Sequence, residues 1–151
     1  MGARDAVQAI PKLVAAAQAA LMRGEIAEAV RLLNWAQRGL SHIPAADPAR
    51  DDLEIMVEFS LGLALVQHRG FSDGAVAEAY ERALDLCLAN DKSGEAEFQI
   101  AWGIWAHYTV LGEMSRVESL LDRMDEIAAA EPGLEVLAAT ARSLFLCNQG
   151  Q

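Results

Sequence analysis

The chain has 151 residues and a net charge of −10, from 12 Lys and Arg against 22 Asp and Glu. Apolar residues make up 53% of it and charged residues 23%, a balance that excludes a disordered chain. The acidic field also excludes nucleic acid and anionic membrane surfaces as partners, because affinity for either rests on basic side chains meeting phosphates.

Only 4 Pro and 11 Gly interrupt the sequence, and Ala, Leu, Glu and Arg fill the segments between them. That predicts an all-α protein. No run of about 18 apolar residues is present to span a bilayer. The stretch "LVAAAQAAL" (13–21) is not a secretory signal, since Gln18 breaks it and Asp5 stands where a basic region belongs. The expected location is the cytoplasm.

Residues 1–10 read as an N-terminal segment ahead of the repeated part, 11–151. A first helix is expected near 11–23, with Pro11 either opening it or kinking a slightly longer one. It closes at Gly24, and a second helix near 26–41 carries Ala29, Leu33 and Ala36 on one face. "SHIPAADPARDD" (41–52), with two prolines and capping aspartates, ends this hairpin at about 11–41. The second hairpin (about 50–89) pairs helices near 50–69 and 74–89 around Gly70. Its second helix has Val76, Tyr80 and Ala83 in the same spacing. After "ANDKSGE" (89–95) a third hairpin (about 94–130) joins helices near 94–111 and 113–130 at Gly112, with Val117, Leu121 and Met124 repeating the pattern. "AAEPGLE" (129–135) precedes a last helix, 133–148, which is unpaired because Gly150 would turn into a helix beyond the chain. The four turn glycines lie 46, 42 and 38 residues apart, a period that points to stacked helical hairpins.

Hairpins of this kind, closing on a glycine and continuing with A-x-x-x-[LYF]-x-x-A, resemble tetratricopeptide (TPR) repeats. "VEFSLGLALVQHRGFSDGAVAEAYERALDLC" (57–87) and "WGIWAHYTVLGEMSRVESLLDRM" (102–124) are similar to the repeat region of bacterial multidomain signalling proteins. Those proteins join a predicted ATPase, often with a class III adenylate/guanylate cyclase or a transcription-regulator domain, to helical repeats. The resemblance implies a right-handed superhelix of about seven helices acting as a non-catalytic interaction or regulatory scaffold, within a larger signalling protein. A free-standing acidic TPR chaperone for secretion or assembly is the alternative. The chain has no G-x-x-x-x-G-K-[ST] phosphate loop and no cyclase domain, so any such activity of a parent lies outside it.

No constellation for chemistry is expected. His42, His68 and His107 lie on separate elements, and Cys87 and Cys147 are 60 residues apart, each expected to be a small buried hydrophobe. His107 is expected to point outward or between hairpins. Glu118, Asp122, Asp125 and Glu126 interleave with apolar residues as a solvated face does, and no pocket is expected to shift a carboxylate. No cofactor or metal is implied.

The first helix of each hairpin should line an inner groove. Counted from the turn glycines, its residues are Val14, Gln18 and Leu21, then Val57, Ser60, Ala64 and Gln67 with His68, then Trp102, Ala106 and Thr109. This neutral to apolar set suits an apolar helix or an extended segment of a protein partner. Purely inter-hairpin packing is the competing reading of the same residues. Ile104, Trp105 and Tyr108 fall instead on the face turned towards the following helix, in the core. The last helix is apolar on every side, so Leu137, Leu144 and Phe145 are expected to form a patch covered by a second copy, in a homodimer.

Overall fold

The computed structural model describes residues 2–148. Its elements are α1 (Ala3–Met22), α2 (Ile26–Leu40), α3 (Arg50–Arg69), α4 (Gly74–Ala89), α5 (Glu95–Leu111), α6 (Met114–Ala130) and α7 (Glu135–Asn148). The chain is all-α, and among the described residues no helix is long and apolar enough to cross a membrane.

Three hairpins, α1–α2, α3–α4 and α5–α6, are stacked in chain order, with α7 laid on the last. Each helix touches its neighbours in sequence, and α3 also touches α1 and α5; among the described residues no more distant helices meet. Such a stack propagates its core from layer to layer instead of closing it around one centre. The second helices hold it together through the residues read from the repeat. Ala29, Leu33 and Ala36 of α2, Val76, Tyr80 and Ala83 of α4, and Val117, Leu121 and Met124 of α6 are all buried.

Gly112 follows α5 at φ +75°, ψ +20°, which lets the amide of Glu113 reach back to the carbonyl of Tyr108. Gly24 and Gly70 also take positive φ. Gly150 lies outside the described residues.

Helix α1 departs most from expectation. It begins at Ala3 and runs through Pro11, with Ala6 and Ile10 wholly buried. Residues 3–10 are therefore part of the packed domain and not a separate N-terminal segment. Pro11 forfeits one backbone donor, and the apolar face on both sides of it carries the helix through. Ile43, in the linker after α2, is also buried, and the Arg50 guanidinium holds the linker by donating to the carbonyls of Leu40 and Ile43.

Polar clasps cross the interfaces from α2–α3 through α6–α7. Gln37 of α2 donates to Glu58 of α3 at 2.7 Å, and Arg82 of α4 to Glu54 of α3 at 2.6 Å. Tyr108 of α5 bonds Glu81 of α4 and lies under the Arg116 guanidinium of α6. Arg123 of α6 grips Glu97 of α5 with two bonds of 2.7 and 3.0 Å. Arg142 of α7 reaches Asp122 and Asp125 of α6. Much of the acidic surplus near the core is thus engaged in setting the register between layers.

Candidate interaction surface

Helix α3 is enclosed by α1, α2, α4 and α5, so a single narrow strip of it meets solvent. Leu53, Val57, Leu61, Ala64 and Leu65 point inward. The opposite positions, spaced three and four apart, are Met56, Phe59, Leu63 and Gln67. Met56, Leu63 and Gln67 are exposed and Phe59 is half-buried, its ring 6.1 Å from that of Tyr80. On α5 the matching strip is Gln99, Trp102, Ala106 and Thr109, all half-buried. Trp102 leans on Phe98 and Trp105, at centroid distances of 6.3 and 5.1 Å, and leaves its outer face open.

The expected groove residues divide accordingly. Trp102, Ala106, Thr109 and Gln67 lie on these strips, and Gln18 is exposed on α1 with Leu21 half-buried nearby. Val14, Val57, Ser60 and Ala64 do not line a groove. All four are buried inter-helix contacts. Counting back from Gly70 misplaced the α3 face by one residue, and one residue turns a helix by about 100°. His68 is exposed, but it follows Ala64 by four residues and so lies on the inward side, open only because α3 ends there. Met56, Phe59 and Leu63 were missed. The run Leu53–Val57–Leu61–Ala64 gives the inward face directly, and the outward strip follows from it.

The buried members of the aromatic run behave as core. Ile104, Trp105 and Tyr108 are buried, although the Trp105 indole Nε1 has no hydrogen-bond partner. His107 is buried between hairpins, its Nδ1 against the carbonyl of Phe71 in the α3–α4 turn. Cys87 is buried as expected, whereas Cys147 is exposed, on the face of α7 turned away from α6.

A second, polar cleft of about 340 Å³ opens between α2, α3 and α4, lined by Asn34, Gln37, Glu58, Arg69, Glu78 and Arg82 among others. Burial pushes the Glu58 carboxyl above its ordinary range, with nearby Glu54 adding to the shift and the Gln37 amide opposing it. This is a shifted carboxylate where the sequence suggested none. Its Oε1 accepts from the Gln37 amide at 2.7 Å, which ties α2 to α3, and the carboxylates of Glu54 and Glu78 stand beside it.

On the last helix only Ala138 and Ala141 are buried. Leu137 and Leu144 are exposed, Phe145 is half-buried against α6, and Val136 and Leu146 are also open. Among the described residues no group of three or more His, Cys, Asp or Glu is placed to hold a metal. Compared with known proteins, the chain matches no family model and no curated protein.

Proposed function

We propose that the chain is a TPR-like protein–protein interaction scaffold, whose partner surface is the paired strip Met56–Phe59–Leu63–Gln67 and Gln99–Trp102–Ala106–Thr109. The observation that carries this reading is the open row on α3. A helix packed by four others keeps three large apolar side chains on its one free face. A solvated face with no role would carry charge, as the outer faces of α4 and α6 do. An apolar α-helix or extended segment matches the row, with anchors at three- and four-residue spacing. The stacked hairpins supply rigidity, so binding orders the guest alone.

In this reading the chain does no chemistry itself and serves a larger bacterial signalling protein of the ATPase/cyclase or regulator kind, in the cytoplasm. The acidic body supports a protein guest over a polyanion. The test is selection of amphipathic helical peptides from a displayed library on the wild-type chain. Enriched peptides should share apolar residues at i, i+3/i+4 and i+7, and lose binding to Leu63→Glu and Trp102→Glu while keeping it to Trp35→Glu. Failure to enrich any peptide, or binding indifferent to Leu63, would refute the assignment.

A further inference from the structure

The two ends of the stack are open, apolar and oppositely charged. At the first hairpin, a groove of about 510 Å³ is lined by Ala9, Lys12 and Leu13 of α1 and by Trp35 of α2. Trp35 is 56% exposed and sits on the side of α2 away from Asn34 and Gln37, which face α3 and α4. Lys12 beside it is exposed and makes no ion pair among the described residues. At the other end, α7 turns Val136 (74% exposed), Leu137, Leu144 and Leu146 to solvent.

Charge is distributed just as unevenly. Residues 2–41 carry five Lys and Arg against three Asp and Glu, a net +2. Residues 42–148 carry seven against nineteen, a net −12, and the α6–α7 end (113–148) alone is −4.

We propose that the occupant of both ends is a second copy of this chain, stacked head to tail: the bare face of α7 enters the Trp35 groove of the next α1–α2 hairpin. This revises the expected α7–α7 homodimer. That symmetric contact sets two −4 ends against each other and leaves the Trp35 groove empty. The head-to-tail contact pairs the −4 end with the +2 hairpin and covers both apolar surfaces at once. It also continues the internal stacking, in which each layer's free face receives the next. A contact between two different surfaces leaves one of each free in a pair, so association grows with concentration beyond a pair, into a ring or an open stack. The inference is independent of the α3–α5 strip, which remains open in such a stack.

Sedimentation velocity with light scattering tests it, using the whole chain and two single variants at exposed positions, Trp35→Glu and Val136→Glu. Unchanged far-ultraviolet circular dichroism establishes that each variant is folded. The wild type should rise in mean mass with concentration past that of a dimer. Each variant alone should be monomeric, and an equimolar mixture should form a dimer and nothing larger, since each partner supplies one intact end. A wild type that stays monomeric overturns the proposal, as does a mixture that stays monomeric. A Trp35→Glu chain that still dimerises overturns it in favour of symmetric α7 pairing.

Discussion

The ring of Tyr80 lies directly on the backbone of Gly103: a Cβ built on that glycine would come within 2.7 Å of the ring. The opposite contact is as close, since a Cβ on Gly62 would also fall 2.7 Å from Tyr80. One aromatic side chain of α4 thus spans its own hairpin partner, α3, and the next layer, α5. Both glycines are needed for what they lack. Burial also pushes the Tyr80 phenol up to about 12.

Gly103→Ala and Gly62→Ala should each destabilise the fold by about 1–3 kcal/mol, because a ring held from both sides cannot move away from an added methyl. Denaturant unfolding measures this. Tyr80→Leu combined with Gly103→Ala should be less destabilised than the sum of the two single changes, as expected for residues that share one contact. Strict additivity would show that the ring has room the geometry denies it.

Gly112 is different, because nothing lies within 4 Å of a Cβ built there. Its requirement is the left-handed backbone alone. Gly112→Val should lose about 1–2 kcal/mol, and Gly112→Asn distinctly less, since asparagine tolerates this region. Equal thermal midpoints for Val and Gly at this position would place the hairpin turn elsewhere.

Trp105→Ala should destabilise by about 3–5 kcal/mol, the usual loss for a buried large aromatic, and Trp102→Ala by clearly less. Trp105→Phe should lose only a fraction of the alanine value, because the indole Nε1 has no partner to forfeit. Equal losses at positions 102 and 105 would remove the outward assignment of Trp102.

Glu58 has its pKa raised on folding, so the folded state is favoured by its protonated form. Its contribution is complete below the unfolded carboxyl pKa and is lost as pH rises through the folded value. Glu58→Gln keeps the contact with Gln37 without the buried charge. Its thermal midpoint should exceed the wild type at neutral pH, and the two should converge on acidification towards pH ~4. A variant less stable than wild type at neutral pH would contradict the raised Glu58 pKa.

Helix positions and hairpin turns were legible because each leaves a local mark: a glycine where φ turns positive, and inward residues at three- and four-residue spacing. Helix α1 was cut short because Pro11 is a local breaker signal, and the burial of Ala6 and Ile10 that overrides it is tertiary. The outward strip was half legible. On α5 the count from Gly112 fell on Trp102, Ala106 and Thr109, while on α3 the same count landed one residue off and selected the core side. Trp35 gave no sign, because only the placement of Lys12 and Leu13 beside it makes a groove.

The most direct measurement of the central claim is nuclear magnetic resonance mapping of a selected amphipathic peptide on the labelled chain, using the three indole N–H signals and the Met and Leu methyl groups. The account predicts shifts at the Trp102 indole and the methyl groups of Met56 and Leu63, with the Trp35 indole unmoved. Shifts confined to Trp35 or to the leucines of α7, with Trp102 and Leu63 silent, would contradict it.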